Sequence, residues 1–390
     1  MKILFINSVC GVGSTGRICT DLYDEFSKNG YECCIAYGRG NASQEYKTYK
    51  IGNTLSTLEH VLETRLFDNH GFASRRATKK FINFLETYNP DIISLHNVHG
   101  YFLNLKILCE YLSTTKAKLF WTLHDGWLFS GHGAHPSLNE QGNPITIGTD
   151  RREKKLYPKS FVNNSKRNFL KKKELILKID NIHFITPSIW LNEVASKTFL
   201  KRFSFKTINN GIDLNKFYVE KENATNKEII LGVASFWSKE KGIDVFNDLA
   251  ARIDNSQYEI VLVGNSPKKI NKNIRKILKT NSQDELRNIY NKAKYFINPT
   301  FQDTFPTVNL ESLACGTPVI TFKTGGSPEM LDEETGIVLE QKNANAIYEI
   351  LEKKPLFSKE LCHKKGREYD KRKKNKEYLD YIESFFNCRK

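Results

Sequence analysis

The sequence lacks the features that mark membrane-spanning, secreted or metal-held proteins. No run of 18 or more apolar residues occurs among its 390 residues, which argues against a helix that spans a bilayer. The first residues, MKILFINSVCG, reach a glycine too early for a secretory signal and alternate like a strand. None of the eight cysteines belongs to a C-x-x-C pair, so we expect free, buried thiols in a reducing compartment. These absences together predict a protein that stays in the cytosol.

Positive charge is a strong bias of the composition, with a formal net charge of +15. From Arg151 to Lys178, 28 residues hold 11 lysines or arginines against only Glu153 and Glu174. A second basic run, KKGREYDKRKKNK, lies near the C-terminus. Aromatic residues are sparse between these charges, and neither an RNA-binding signature nor a zinc-finger spacing occurs, so we do not expect nucleic acid as a partner. A solvated face and contact with anionic lipid head groups both remain open.

Apolar, β-rich runs alternate with amphipathic stretches along the chain. RICTDLYDEFSKNG has a helical pattern that ends on Gly30 as a C-cap, and DVFNDLAARI is a second helix. This alternation predicts parallel sheets with helices on both faces, which is an α/β fold. The expected strands lie near Ile3–Asn7, Cys33–Tyr37, Asp91–His96, Lys118–Leu123, Ile182–Thr186, Ile229–Val233, Glu259–Val263, Tyr295–Asn298, Pro318–Phe322 and Gly336–Leu339.

The two halves predict two similar, doubly wound Rossmann-like domains. Their junction lies near KTINNGIDLNKF, where Asn209, Asn210 and Gly211 supply turn residues. We assign residues 1–205 to the N-terminal domain and 206–375 to the C-terminal domain. Residues 376–390, which include EYLDYIESFF, form a C-terminal helix that packs back on the N-terminal domain. Two such domains facing one another leave a central cleft at the carboxyl ends of their strands, where ligands bind.

A glycine loop, VCGVGSTGR, directly follows the first predicted strand. Gly11, Gly13 and Gly16 fit G-x-G-x-x-G, the pattern of a dinucleotide-binding turn. The second strand ends without the carboxylate that a nicotinamide site needs, and Arg39 there leaves NADP as one alternative. A tight turn without a ligand is another. We favour a loop whose free N–H groups meet a phosphate or an acceptor, with Arg17 as a nearby cation.

The most informative stretch is residues 298–330, NPTFQDTFPTVNLESLACGTPVITFKTGGSPEM. A loop follows the strand, and a helix begins near Pro306 or Thr307. Asp303 lies in the loop and Glu311 in the helix, eight positions later, so that the two carboxylates can reach separate hydroxyl groups. The helix start offers unpaired N–H donors to phosphate oxygens. The later Gly-Gly turn allows a close backbone approach.

This stretch resembles the signature of family 4 glycosyltransferases, two-domain enzymes of the GT-B fold that use nucleotide-sugar donors. The E-x7-E motif of that family is represented by Asp303 and Glu311, with aspartate at the first place. The resemblance covers nearly the whole chain and is closest to the colanic-acid-type subgroup, which builds bacterial capsule, exopolysaccharide or O-antigen chains. It also runs through TLHDGWLFSGHG, TPSIW, NNGIDLNKF, VASFWSKEKG and VGNS.

The resemblance implies roles for residues of the C-terminal, donor-nucleotide domain. Glu311 is expected to hold the ribose of the donor, and Lys241 to neutralise its diphosphate. Asp303 is expected to hold the hexose and its phosphates, together with the backbone that follows it. That backbone consists of Thr304, Phe305, Pro306 and Thr307.

The same resemblance assigns residues of the N-terminal, acceptor-side domain. His124 matches an active-site histidine that faces the donor sugar, and Gly16 matches the loop near the diphosphate. The family usually has an arginine at the place of Ser235, and Arg17 or Lys239 is expected to compensate for it. The cysteines that often follow the G-H dipeptide are missing and no D-x-D triplet occurs, so neither a metal nor another cofactor is expected.

The expected reaction is transfer of a hexosyl group, with retention, from a UDP-, GDP- or similar nucleotide sugar to a saccharide hydroxyl. The acceptor is expected to be lipid-linked, and segment 151–178 to rest on an anionic membrane at its inner face, with Lys171, Lys172 and Lys173 facing the lipid. A nucleotide-sugar epimerase or hydrolase of the same fold remains an alternative. An NADP-binding reductase and a non-enzymatic binding protein are further alternatives.

Overall fold

The chain forms two α/β units in a computed structural model, which describes residues 1–135, 137–139, 142–145, 157–220, 227–266 and 269–387. The first unit consists of Met1–Ile208 together with Asn375–Lys390, and the second of Asn209–Lys374. Each unit contains its own parallel sheet. The α/β class with two Rossmann-like domains, predicted from the strand–helix alternation, is therefore confirmed.

The first unit is built on a seven-stranded sheet and a separate antiparallel hairpin. Its strands are β1 (Lys2–Val9), β2 (Glu32–Arg39), β3 (Thr48–Lys50), β4 (Ile92–Leu95), β5 (Lys118–Thr122), β6 (Ser137–Leu138), β7 (Pro144–Ile145), β8 (Ile182–Thr186) and β9 (Ser204–Thr207). The sheet has the order β3-β2-β1-β4-β5-β8-β9, and β6 pairs with β7 in the hairpin. Its helices are α1 (Gly13–Lys28), α2 (Thr54–Phe67), α3 (Arg75–Tyr88), α4 (Leu105–Leu112), α5 (Ser165–Ile176) and α6 (Ile189–Ser196).

Strand β1 shows why the sheet has helices on both faces. Leu4 and Ile6 belong to one apolar cluster, and Ile3 and Phe5 to another on the opposite face. A strand buried on both sides reads as a continuous apolar run, which is what KILFINSV supplies. Because successive side chains alternate, the adjacent Cys33 and Cys34 of β2 likewise enter opposite clusters. The seven cysteines within the described residues are free and buried, as expected.

The second unit is built on a six-stranded parallel sheet. Its strands are β10 (Glu228–Phe236), β11 (Tyr258–Asn265), β12 (Ile274–Ile277), β13 (Ala293–Asn298), β14 (Val319–Phe322) and β15 (Gly336–Leu339), and their order is β12-β11-β10-β13-β14-β15. Its helices are α7 (Ile243–Ala250), α8 (Gln283–Lys292), α9 (Thr307–Ala314), α10 (Ala344–Glu352) and α11 (Lys359–Arg367). In such sheets the helices run back against the strands, so the segment after each strand's carboxyl end leads into a helix N-terminus.

The last helix, α12 (Lys371–Asn387), belongs to the first unit from Asn375 onward. The hydroxyl of Tyr378 lies 2.8 Å from Oγ of Ser94 and 2.9 Å from Oγ1 of Thr122. Leu379 and Ile382 are fully buried. Within the residues described, the structure contains no helix both long and apolar enough to cross a bilayer.

All ten strands expected from the sequence are present, and three strands of the large sheets were not expected. These are β3, β9 and β12, each of which lies at the edge of its sheet. Edge strands pair on one side only and bury less surface, so their sequences carry a weaker apolar pattern. Helix α1 also begins earlier than expected, at Gly13, inside the glycine loop.

Candidate active site

Two charged side chains meet in the second unit beyond the ends of β10 and β13. Lys241 lies in the turn between β10 and α7, and Asp303 in the loop between β13 and α9. Lys241 Nζ is 2.7 Å from Oδ2 of Asp303 and 3.5 Å from the carbonyl oxygen of Gln302. The side chains of the pair are 37% and 20% exposed. The fold thus brings together two of the predicted site residues, 62 positions apart in sequence, and leaves them accessible to a ligand.

The loop after Asp303 leads directly into helix α9. Thr304, Phe305 and Pro306 are buried, and the Phe305 ring belongs to a core cluster of the unit. Pro306 is the N-cap in an extended conformation, no side chain caps the helix, and the helix begins at Thr307. The N–H groups of a first helical turn lack intrahelical partners and carry a partial positive charge. The start of α9 therefore suits an anion, and its predicted position is confirmed.

Glu311 lies in the second turn of α9 and is anchored by a tyrosine that the sequence did not indicate. The hydroxyl of Tyr290, from α8, donates to Oε2 of Glu311 at 2.9 Å. Tyr290 is fully buried. Burial and the nearby carboxylate of Glu311 raise the pKa of Tyr290 well above its usual value, so the hydroxyl keeps its proton and remains a donor. This contact fixes the orientation of the half-buried Glu311 side chain.

The turn after β14 packs against the loop that carries Asp303. Gly325 has φ +54°, and a Cβ atom there would lie 1.8 Å from the carbonyl oxygen of Asp303. The N–H of Gly326 donates to the carbonyl oxygen of Thr304 at 3.0 Å. Only glycine fits at position 325, which confirms the close backbone approach expected from the Gly-Gly pair.

Three buried polar groups border these loops without a hydrogen-bond partner among the residues described. They are Nδ2 of Asn309, Oγ1 of Thr324 and Oγ of Ser327. Asn309 is held through its other amide atom, because Oδ1 accepts from Asn298 Nδ2 at 2.8 Å. Leaving a buried polar group unpaired costs about 1–3 kcal/mol. A ligand or an ordered water at this site would satisfy these groups.

Ser235 stands where the family resemblance predicts an arginine, and Lys239 is one of the residues expected to compensate for it. Ser235 is exposed near the end of β10. Lys239 is also exposed, and its Nζ is 3.7 Å from Oδ2 of Asp244 in α7. An exposed pair at this distance contributes little to stability, so Lys239 can leave Asp244 at small cost.

In the first unit, the glycine loop folds back on itself at the start of α1. Gly11 and Gly13 have positive φ angles, +69° and +66°. The N–H of Gly11 donates to the carbonyl oxygen of Gly16 at 3.1 Å. That donor is therefore used within the loop and is not one of the free N–H groups expected to meet a phosphate or an acceptor. Arg17 is exposed on α1, and Gly16 is buried against Val9.

His124 follows β5 and forms a pair with a histidine that the sequence analysis did not single out. Its Nε2 is 3.0 Å from Nδ1 of His96, and the two rings stack with centroids 5.3 Å apart. Burial lowers the pKa of His124 to about 4 and that of His96 well below its usual value, so both are neutral near pH 7. The other nitrogen of His96 is 3.2 Å from Oγ of Ser94, which contacts Tyr378.

Asp125 orders the loop that follows His124. Its Oδ1 accepts from the N–H of Trp127 at 2.9 Å, and its Oδ2 lies 2.9 Å from Nε2 of His99. Burial alone would raise the pKa of Asp125, but His99 and the Trp127 amide hold it below its usual range. The carboxylate is therefore ionised and fixes both His99 and the adjoining 3-10 turn.

One lysine of the basic segment corrects the expectation that Lys171, Lys172 and Lys173 all face outward. Lys172 is fully buried, and its Nζ donates to the carbonyl oxygens of Trp127 at 2.6 Å and Ser130 at 3.0 Å. The ammonium group also lies 3.8 Å from the centroid of the Trp127 ring. Lys172 thus supports the loop after β5. Residues 151–156 of the segment lie outside the described residues.

The predicted site residues accordingly fall into two groups, one in each unit. Lys241, Asp303, the start of α9 and Glu311 cluster in the second unit, whereas His124, Gly16 and Arg17 lie in the first. Within the described part of the chain, no group of three or more His, Cys, Asp or Glu side chains is placed to hold a metal ion. That the reaction needs no metal stays a prediction.

The amino-acid sequence is similar to those of known proteins. Residues 227–353 match the family model described as Glycosyl transferases group 1. The chain is 27% identical over 146 residues to a protein of Escherichia coli (strain K12) named "Putative colanic acid biosynthesis glycosyl transferase WcaC", a match that covers 34% of this chain. The matches to the first two curated relatives span 36% and 48% of their own length.

Solved structures share the fold along nearly the whole chain. Sucrose-phosphate synthase from Thermosynechococcus elongatus has a TM-score of 0.70 at 16% identity, with 99% of both chains covered. HepE from Anabaena, solved with UDP and also with UDP-glucose, has a TM-score of 0.66 at 13% identity in the UDP complex, covering 98% of this chain and 100% of that one. The chain therefore has the GT-B fold, and its second unit contains a group 1 glycosyltransferase domain.

Proposed function

We propose that this protein is a retaining glycosyltransferase of family 4. It moves a hexosyl group from a nucleoside diphosphate sugar to a saccharide hydroxyl during synthesis of a bacterial surface polysaccharide. The observation that carries this proposal is the Lys241–Asp303 pair beside the uncapped start of α9. The relatives named above support a polysaccharide pathway and, through the complexes of HepE, a uridine nucleotide as the first donor to test.

The leaving diphosphate gains negative charge as the bond between the anomeric carbon and its oxygen breaks. An ammonium group has three donors, and the contacts of Lys241 to Asp303 and Gln302 occupy two of them. The third is available for a phosphate oxygen, and the N–H groups of the first turn of α9 add further donors. Fixed donors of this kind stabilise developing charge without having to reorganise. The proposed reaction requires no resident cofactor.

Asp303 and Glu311 have separate parts in this proposal. Asp303 accepts hydrogen bonds from hexose hydroxyls while it holds Lys241 in place, and the backbone from Thr304 to Thr307 lies along the phosphates. Glu311 accepts from the ribose hydroxyls. The buried Tyr290 hydroxyl, which donates to Oε2 of Glu311, supports this role because it fixes the carboxylate before the nucleotide binds.

For the first unit, the roles of His124, Gly16 and Arg17 remain proposals based on the resemblance. The low pKa of His124 supports a neutral imidazole that exchanges hydrogen bonds with a sugar hydroxyl. The contact from His96 then decides which nitrogen of His124 carries its proton. Arg17, exposed on α1, remains a candidate to replace the missing arginine at Ser235.

We also propose that the acceptor is lipid-linked and that the enzyme works at the cytoplasmic face of a membrane. The exposed cations Lys166, Lys171 and Lys173 of α5 support this, since each Lys near an anionic surface contributes about 1 kcal/mol of attraction. Lys172 is excluded from the contact because it is buried.

The experiment that tests the function begins with a thermal-shift screen of UDP, GDP, ADP and their sugars. A ligand that binds only the native state raises the melting temperature, so the nucleotide that causes the largest increase is identified as the donor nucleotide. Transfer to a saccharide acceptor is then followed with that donor, and the anomeric coupling constant of the product tests retention. Turnover of the donor alone at the full rate would favour an epimerase or hydrolase instead. No stabilisation by any nucleotide or nucleotide sugar would contradict the proposal.

A further inference from the structure

A groove of about 810 Å³ lies in the first unit among helices α3, α4 and α5. None of the candidate active-site residues lines it. Its apolar surface includes the buried side chains of Phe72 and Leu175 and the half-buried Ile107. A volume of this size is ordinary for a site that binds a small molecule.

Cations dominate the charged side chains of the groove. Lys106 and Lys178 are balanced, since Lys106 lies 3.8 Å from Glu110 and Lys178 lies 2.7 Å from Glu174. Three further cations that line the groove have no such carboxylate. They are Arg75, Arg167 and Lys171.

The contacts of these three cations leave their positive charge uncompensated. Arg167 donates to three neutral acceptors, the carbonyl oxygen of Phe67 and Oδ1 of Asn69, each at 2.9 Å, and Oδ1 of Asn168 at 3.3 Å. Among the described residues, neither Arg75 nor Lys171 forms a hydrogen bond or an ion pair, and Lys171 Nζ lies over the ring of Phe72, 5.5 Å from its centroid. Burial and the positive charges of Arg167, Lys106 and Arg75 lower the pKa of Lys171. The groove thus collects like charges that repel one another, and an anion among them would relieve the repulsion.

Two helix starts add to the positive potential of the groove. Arg75 is the first residue of α3, and Asn104 is the N-cap of α4. Both residues line the groove. A helix N-terminus carries the equivalent of about half a positive charge. The anion-binding groups therefore converge from α3, α4 and α5, whereas the cations of a merely solvated face would spread apart.

We propose that this groove binds a phosphate group joined to an apolar chain. Arg75, Arg167 and Lys171 contact the phosphate oxygens, and the chain lies over the apolar surface formed by Phe72, Ile107 and Leu175. The binding itself is independent of the sugar-transfer chemistry. The identification of the ligand as the phosphate-bearing tail of a lipid-linked acceptor rests on the proposed function.

The test measures the affinity of the full-length protein for dodecyl phosphate below its critical micelle concentration. Inorganic phosphate serves as the anion without a chain, and dodecyl maltoside as the chain without a phosphate. We expect dodecyl phosphate to bind at least tenfold more tightly than either. Equal affinity for inorganic phosphate or for dodecyl maltoside would overturn the proposal.

Matched variants locate the binding. Arg75→Glu with Lys171→Glu should weaken binding of dodecyl phosphate at least tenfold. The control, Arg76→Glu with Lys173→Glu, changes the net charge equally at exposed neighbours that do not line the groove, and should change affinity less than twofold. Equal losses of affinity in the two double variants would mean general attraction to the basic surface and would overturn the proposal that the ligand binds in the groove. Arg75→Gln with Lys171→Gln, which adds no negative charge, should reproduce most of the loss.

The outcome is separable from that of the proposed function. Nucleotide binding, measured by the thermal shift described above, depends on the second unit and should not change in either double variant. A protein that binds dodecyl phosphate in the groove but no nucleotide would contradict the glycosyltransferase proposal alone. If the protein binds nucleotide but the two double variants have the same affinity for dodecyl phosphate, only the proposal about the groove is contradicted.

Discussion

The ammonium group of Lys241 and the carboxylate of Asp303 lie 2.7 Å apart at the entrance to helix α9. Both side chains are partly exposed, and ion pairs in such positions contribute about 0–1 kcal/mol to stability. The pair is therefore a weak structural element at a place where the loop backbone is otherwise tightly packed against Gly325. We interpret it as a preformed arrangement of one donor and one acceptor for the two ends of a sugar diphosphate.

Lys241→Ala should lower the turnover number about 10²–10³-fold, because it removes a fixed donor to the leaving diphosphate. The fold should persist, since Asp303 can be solvated where it lies. Turnover with the identified donor and the melting temperature are the two measurements. Lys294→Ala is the control, as it removes a similarly exposed lysine that has a carboxylate partner, Glu228 at 3.6 Å, at the start of β13, and it should leave turnover within twofold of the parent. Normal turnover in Lys241→Ala would remove the lysine from the mechanism.

Tyr290→Phe should weaken nucleotide binding about fivefold, because it deletes the hydrogen bond that orients Glu311. A hydrogen bond to a charged group contributes about 1.5–3 kcal/mol at most. Nucleotide affinity is measured by calorimetry. Tyr295→Phe is the matched control, because its hydroxyl donates to the carbonyl oxygen of Pro355 at 2.7 Å, away from Glu311. Both variants lose a buried hydrogen bond, but only the first should lose affinity. Equal affinities in the two would contradict the anchoring role of Tyr290.

Gly325→Ala should reduce turnover at least 10²-fold, because its Cβ would displace the Asp303 carbonyl from which it lies 1.8 Å. Gly30→Ala separates this effect from backbone strain: Gly30 also has a positive φ, +82°, but nothing lies within 4 Å of its added Cβ. Forcing alanine into that conformation costs roughly 1–2 kcal/mol. We expect Gly30→Ala to lose stability of this order and to keep its turnover. Full activity in Gly325→Ala would show that the loop is not fixed by this contact.

Lys172 gives the protein a pH-dependent stability whose sign follows from its burial. Burial lowers the pKa of Lys172 to about 7 against opposing effects of Asp68 and Asp125, whereas a lysine in the unfolded chain has a pKa near 10.4. Between these values the unfolded state binds more protons, so stability rises with pH, by up to about 1.4 kcal/mol per pH unit. Below about pH 6 both states are protonated and the contribution is constant.

Lys172→Met tests this effect, since it keeps the length of the side chain without its charge. The free energy of unfolding of the parent, minus that of Lys172→Met, should increase by about 2 kcal/mol between pH 7 and pH 9. Urea denaturation at three pH values gives this difference, in which the other titrating groups largely cancel. Parallel pH profiles for the two proteins would contradict the assignment.

The interior strands could be predicted from the sequence because each is buried on both faces. The runs around Ile3, Ile182 and Ile320 have few polar interruptions, and the structure places strands there with small differences in their ends. The edge strands β3, β9 and β12 were missed for the converse reason, since they are short and largely exposed. The glycine loop concealed the start of α1 because Gly13 and Gly16 are poor helix formers in isolation.

Candidate site residues that lie in one contiguous motif could be predicted from the sequence. The residues that contact them from distant elements could not. Residues 303–311 form such a motif, but nothing in the sequence joins Tyr290 to Glu311 or His96 to His124, because those contacts arise from sheet order and helix packing. The burial of Lys172 was not predicted because the basic run was interpreted from its composition alone. Its helical spacing with Asn168, Leu175 and Ile176, which are all buried, was the signal that would have placed it inward.

The most direct test of the central claim is a crystal structure of the protein with the nucleotide sugar that the thermal-shift screen selects. We expect a β-phosphate oxygen within 3.2 Å of Lys241 Nζ, the diphosphate at the start of α9, and a ribose hydroxyl donating to Glu311. A nucleotide bound elsewhere, with the Lys241–Asp303 pair and Glu311 untouched, would contradict that claim.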